Sequence, residues 1–337
     1  MAEKHYSTDV VIIGAGTGGL FSVFQLGMLK IKCHVVDSLE QIGGQCTALY
    51  PEKPIYDIPA YPAILAGKLI EQLEEQAKPF APVYHLNQKV TSLTRDDENR
   101  FVVTTSTGTA ITCKAVIIAA GAGAFGPNRP PLANLEAYEG KSVFYMVKRR
   151  ADFAGKTLVI AGGGDSAVDW ALSLSEVAEK IYFVHRRDKF RAAPESVAQL
   201  QAIAATGKIE MVIPYQLHAL HGHDGVLEAV ELANLDGNTK TLPADVLLPF
   251  FGIVPHLDAI TEWGMKIDRH HIPVNPATQQ TSLEGIFAIG DVATYDGKLK
   301  LILTGFAEAA TAAHAIHPLI FPGQELHFEY STTKGIK

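Results

Sequence analysis

A chain of 337 residues that is 47% hydrophobic and 19% charged can fill two sizeable cores and is too apolar to stay disordered. Its formal net charge of −7 argues against general nucleic-acid or anionic-membrane binding, no apolar run reaches the ~18 residues of a bilayer span, and Met1 to Asp9 carry no secretory apolar core. Cys33, Cys46 and Cys113 stand far apart with no C-x-x-C, which points to a reducing, cytoplasmic setting and not to a disulfide framework.

Val10-Val11-Ile12-Ile13 reads as a buried parallel strand, followed by the turn Gly14-Ala15-Gly16-Thr17-Gly18-Gly19. Gly14, Gly16 and Gly19 fit G-x-G-x-x-G: a tight bend, a backbone that a pyrophosphate can approach, and close packing of the next helix. The N-terminus of that helix offers free N–H groups and a positive dipole end. Asp37 ends the second strand, Cys33-His34-Val35-Val36, where an acid accepts from ribose hydroxyls and repels a 2′-phosphate. This first site therefore suits FAD or NAD.

Gly43-Gly44-Gln45-Cys46-Thr47-Ala48-Leu49-Tyr50-Pro51 follows, with glycines that permit close backbone approach to a ligand. Tyr50 is either a core tyrosine or, if the cofactor is a flavin, a ring beside it. Lys68 to Lys78 reads as an amphipathic helix with Glu74-Glu75 on its solvated face. Gln88 to Leu93, Phe101 to Ser106 and Ala110 to Ala119 read as strands separated by turns. Val90 lies in the first of them, where an adenine could rest on backbone. The Gly/Pro cluster Gly121-Ala122-Gly123-Ala124-Phe125-Gly126-Pro127 marks a domain boundary.

A second βαβ unit begins with the strand Lys156 to Ala161. Gly162, Gly164 and Ala167 fit G-x-G-x-x-A, with a helix expected over Asp169 to Ala178 and a second strand over Lys180 to Val184. Where the first unit has Asp37, this one has His185-Arg186-Arg187 and then Arg191. Guanidinium forks grip a phosphate bidentately, so this site should prefer NADP(H). One chain with an acid-ended and a cation-ended dinucleotide site can pass a hydride from NADPH to a tightly held flavin.

Met211 to Leu247 reads as further short strands, and Gly252 and Pro255 mark a second boundary. Phe250-x-Gly252-x-x-x-His256 resembles a flavin monooxygenase fingerprint but follows the second glycine turn and lacks the closing aromatic, so it carries no weight. The strand Gly285 to Ile289 ends in Gly290-Asp291, placing a carboxylate where open α/β sheets bind ligands. A helix is expected over Gly305 to Ile316, stopped by Pro318 and Pro322; its N-terminus could stabilise negative charge on a reduced flavin. His221/His223 and His270/His271 lack Cys or carboxylate partners at ligand spacing, so no metal site is expected.

The order of these motifs resembles the low-molecular-weight thioredoxin reductase superfamily over essentially the whole chain. That resemblance implies an α/β fold of two Rossmann-like, three-layer ββα dinucleotide-binding domains, the second inserted in the first. It divides the chain into an FAD-binding domain, 1–122 and 254–337, and an NADPH-binding domain, 123–253. Those reductases carry C-x-x-C just before the second glycine turn, whereas Tyr145-Met146-Val147-Lys148-Arg149-Arg150 has no sulfur pair. Disulfide exchange needs an attacking and a resolving thiol, so thioredoxin reduction is chemically excluded unless Cys46 acts from elsewhere.

What remains resembles the thioredoxin-reductase-like ferredoxin/flavodoxin–NADP⁺ reductases, in Gly43 to Asp57, Lys298 to Phe306, and the C-terminal aromatic-Ser-Thr at Tyr330-Ser331-Thr332. The resemblance implies FAD contacts at Thr17, Asp37, Gln45, Tyr50, Val90, Phe125, Asp291 and Thr332. It places Tyr50 on one flavin face and Tyr330 on the other, reaching across a homodimer. Electrons would pass between NADPH/NADP⁺ and ferredoxin or flavodoxin, with the inserted domain rotating about 122–126 and 252–255. Lys148-Arg149-Arg150 and Lys298/Lys300 are candidate docking cations for an acidic partner. The alternatives are a reductase of another small redox partner and a non-catalytic FAD redox sensor.

Overall fold

The computed structural model describes residues 4–121 and 123–326, without the side chains of 124–127, 253–256 and 258. The chain packs as two compact units: Met1–Phe125 with Pro255–Lys337, and Gly126–Val254.

In the first unit a five-stranded parallel sheet runs in the order Ile286–Ala288, Ala115–Ile118, Val10–Ile13, Cys33–Val36, Val83–His85. Every residue of Val10–Ile13 and Cys33–Val36 is buried because both faces of the sheet are covered. Val10, Ile12 and Val35 pack beneath the helices Thr17–Met28 and Ile302–Ile320 through Val23, Leu26, Ala309 and Ile316. Val11, Ile13 and Val36 face a second, four-stranded sheet through Phe101, Val103 and Ile111. The layers are therefore sheet, sheet, helix.

The run expected as one strand over Ala110 to Ala119 is two. Thr109–Cys113 belongs to the outer sheet and Ala115–Ile118 to the central one, because Lys114 and Ala115 both turn their N–H groups to the Asp9 carbonyl. The last helix also runs past its expected end, to Ile320. Pro318 falls in its final turn, where a missing N–H and a tilted carbonyl cost least.

The second unit repeats the plan. Its parallel sheet runs Ile209–Val212, Lys180–Val184, Thr157–Ala161, Val246–Pro249. An antiparallel sheet of Gln216–His223, Val226–Ala233 and Thr239–Pro243 covers one face through Leu227, Val230, Leu232 and Leu242. The helix after the glycine turn spans Asp165–Leu174, one turn earlier than expected, since the turn feeds it directly. A further helix, Pro194–Ala205, opens on a proline whose fixed φ suits that position.

Candidate functional sites

In the first unit the glycine turn builds a cleft by having no side chains. A Cβ on Gly19 would overlap the Gly14 carbonyl oxygen, so only glycine lets the helix pack this close. Gly16 instead faces open space, with only the Gly44 Cα 4.0 Å from where its Cβ would lie. Gly43 and Gly44 hold φ of +108° and +56°, and the Gly43 N–H donates to the Ala15 carbonyl at 2.8 Å. The helix Thr17–Met28 opens at Gly16 with no side-chain cap, leaving its first-turn N–H groups for a ligand.

Asp37 stands at the end of its strand, 9% exposed. One carboxylate oxygen accepts the Ala15 N–H at 2.6 Å and the other the Leu39 N–H at 2.8 Å. Burial raises its carboxyl while the N–H groups of Leu39, Ala15 and Ser38 pull it back down. Each oxygen keeps a further lone pair for a ribose hydroxyl. Gly14, Gly16, Thr17, Asp37, Gln45, Tyr50, Val90 and Asp291 line one cleft. Gly19 packs behind it. The Phe125 side chain, Tyr330 and Thr332 lie outside the described residues.

Tyr50 meets Cys46 at 3.9 Å, sulfur to phenol oxygen. Burial, then Cys46 and Asp291, push its phenol up, so it stays protonated at neutral pH. Burial also raises the Cys46 thiol, and pushes Cys33 and Cys113 up to about 12. All three cysteines are free and buried, a poor setting for thiolate attack.

Beneath Gly290-Asp291 lies a pair that sequence reasoning misassigned. Lys298, read as a docking cation, has only 5% of its side chain exposed and meets Glu308 at 2.6 Å. Its ammonium also donates to the Gly290 carbonyl at 2.7 Å. Glu308 accepts the Gly290 N–H at 2.7 Å and the Tyr295 hydroxyl at 2.8 Å. The residues before Asp291 are thus held by a buried ion pair, and Lys298 leaves the docking set. Of the other cations in that set, Arg149 pairs with Asp152, Arg150 with Glu176, and Lys300 donates to His271 at 2.7 Å. His221 and His223, read as surface residues, are exposed and meet Glu231 and Glu228 at 2.9 and 3.0 Å across the hairpin. Among the described residues no cluster of three metal-ligating side chains forms.

In the second unit, Gly162 has φ +155° and a Cβ there would lie 2.7 Å from the Phe250 carbonyl oxygen. A Cβ on Gly163 would strike the His185 ring, while Gly164 faces open space. Gly163 is thus needed by His185, which the fingerprint alone did not show. The cation loop is tied back onto this turn. The Arg191 N–H donates to the Gly163 carbonyl at 2.7 Å and the Ala193 N–H to Asp165 at 2.9 Å.

Burial lowers His185 first, and the charges of Arg186, Arg191 and Arg187 lower it further, although its bond to the Lys189 carbonyl opposes them. Among the described residues no acid pairs with Arg186, Arg187 or Arg191. Arg186 and Arg187 line a small cleft with Tyr215 and Asn234, while Ala167 is buried in its helix. A pair of guanidinium groups with no acid beside them at the end of this strand has the chemistry to grip a phosphate bidentately.

A sequence profile of the pyridine nucleotide-disulphide oxidoreductase family matches residues 8–315. A ferredoxin–NADP reductase of Paramagnetospirillum magneticum is 60% identical, over 98% of both chains. One of Rickettsia akari is 62% identical, again over 98% of both. The crystal structure of a T. acidophilum thioredoxin reductase superposes with a TM-score of 0.78 at 22% identity, over 92% of this chain and 98% of that one, a likeness of fold.

Proposed function

The chain belongs to the pyridine nucleotide-disulphide oxidoreductase family, among the ferredoxin–NADP reductases, and from that premise we propose that it uses FAD to move electrons between NADPH/NADP⁺ and ferredoxin or flavodoxin. When bound, FAD would exchange a hydride with nicotinamide and electrons singly with the protein partner. The observation that carries this reading is a repeated strand–glycine turn–helix unit, followed once by a strand ending at Asp37 and once by a strand ending at Arg186-Arg187, in a chain whose three cysteines are buried and free.

The first unit is the FAD-binding domain. Its glycine cradle fits the group, because substituting Gly16 or Gly44 would fill the cleft with side chain. Gly14, Gly16, Gly19 and Thr17 present the helix N-terminus to the pyrophosphate, Asp37 takes a ribose, and Val90 offers backbone to the adenine. Gln45 and Asp291 hold the flavin half and Tyr50 gives it a face; FAD contacts at Phe125, Tyr330 and Thr332 are carried over from the family resemblance alone. The second unit is the NADPH-binding domain. Gly162, Gly164 and Ala167 admit the pyrophosphate, and Arg186, Arg187 and Arg191 grip the 2′-phosphate beside a neutral His185. We assign the active form to a homodimer in the cytoplasm, where three free thiols stay reduced. No described helix is long and apolar enough to cross a membrane.

Anaerobic mixing of the FAD-loaded chain with NADPH tests this. Rapid bleaching of the flavin, followed by reoxidation with ferredoxin or flavodoxin and not with a disulfide, is expected. Slow bleaching would make the chain a sensor, and efficient dithiol production would overturn the reading.

A further inference from the structure

The cleft beside Arg186 and Arg187 has a second wall that the cation motif does not explain. It is built by Pro214-Tyr215-Gln216, at the start of the outer sheet, and by Ala233-Asn234-Leu235, at the turn after Val226–Ala233. The first of these segments is tied to the cation loop: the Tyr215 N–H donates to the His185 carbonyl at 3.1 Å.

The second is a firm turn. Asn234 accepts the N–H groups of Asp236 and Asn238 at 3.1 and 2.8 Å, and the Asn234 N–H donates to the Asn238 carbonyl at 3.0 Å. Leu235 rides on this turn 96% exposed. The cleft therefore sets two rings, an alanine and a leucine beside two amides and two free cations. A flat apolar base with ring nitrogens, carrying a phosphate a few bonds away, matches that combination. Inorganic phosphate would use only the cations.

We propose that Tyr215 and Leu235 wall a slot for the adenine of a 2′-phosphorylated adenosine, which makes them positioning residues for NADPH. The inference rests on the NADPH reading of the second unit and adds to it the residues that select the nucleoside. Leu235 would lose its exposure on binding, so much of its contribution comes only with the ligand in place.

The test is equilibrium binding of adenosine 2′,5′-bisphosphate to the full, FAD-loaded chain. Leu235→Ser removes the apolar wall at a position so exposed that folding should be indifferent to it, and flavin absorbance and melting temperature check that it is. Binding should weaken about tenfold, by the half-burial of one leucine. Tyr215→Leu keeps an apolar wall without the ring and should weaken binding less than Tyr215→Ser. Nicotinamide mononucleotide, which lacks the adenosine half, should bind all variants and the wild type alike. Equal binding of the bisphosphate by wild type and Leu235→Ser would overturn the slot and leave the NADPH site standing. No binding of the bisphosphate by the wild type, with no bleaching by NADPH, would overturn both.

Discussion

Removing Glu308 should loosen the first unit from beneath its cofactor. Glu308→Ala leaves the Lys298 ammonium in a site where 5% of its side chain reaches solvent. It also strips an acceptor from the Gly290 N–H and from the Tyr295 hydroxyl. Breaking a buried pair by deleting one partner costs about 3–5 kcal/mol, and the two orphaned donors hold the value at the upper end. For a unit of this size that is a fall of roughly 10 °C in melting temperature. The assay is thermal release of FAD followed by flavin fluorescence, which on the proposed reading reports the first unit. Glu308→Gln combined with Lys298→Met removes both charges and keeps an amide oxygen for Gly290, so it should recover more than half of the loss. A single Glu308→Ala variant that releases FAD within about 2 °C of the wild type would refute the reasoning.

Replacing both Arg186 and Arg187 by alanine should raise the KM for NADPH by ten- to a hundredfold, at about 1.5–3 kcal/mol for a charge-assisted contact, and leave NADH unchanged; a parallel loss with both nucleotides would dismiss the 2′-phosphate role. His34 and His85 meet at 3.0 Å under the edge of Tyr6, and burial lowers both. The unfolded chain therefore takes protons that the native pair refuses: stability is full above about pH 6.5 and falls below it, by at most about 1.4 kcal/mol per pH unit for each histidine. Urea unfolding of the first unit at pH 7.5 and 5.5 should show this, and His34→Gln with His85→Gln should flatten the difference. Thiol titration with a chromogenic disulfide should find no rapidly reacting cysteine until urea is added, since all three are buried and raised; fast native labelling of Cys46 would reopen a sulfur mechanism.

The parts that were legible in the sequence are those whose cause is local. A β-branched run, a glycine turn and the residue ending the next strand lie within about thirty positions, and each has its own steric or charge requirement. Those runs became the buried strands Val10–Ile13 and Thr157–Ala161. What stayed hidden depends on partners far along the chain. Lys298 looks like a surface charge until Glu308 comes up beneath it from the following helix. A signal existed: Glu308 falls on the stripe of Gly305, Ala309, Ala312, Ala313 and Ile316, all buried, where an acid must have a partner. Gly163 was passed over because its requirement comes from the His185 ring, more than twenty residues on, and not from the turn itself.

The same scaffold is used twice, and on the proposed reading its two copies differ in cofactor preference through what ends one strand; the two ends are not equivalent. Asp37 works on both sides of its carboxylate: it holds the Ala15 and Leu39 N–H groups of its own unit and has lone pairs left over. Recognition there is bound up with the shape of the turn, so the acid cannot be exchanged for a cation without loosening the glycine cradle. In the second unit the turn is held by backbone bonds from Arg191 and Ala193 instead. Arg186 and Arg187 are released from any structural task and stay exposed. That division fits the proposed reading, in which one cofactor is kept in place and the other comes and goes: the first site is organised by the residue proposed to recognise its ligand, and the second is organised without it.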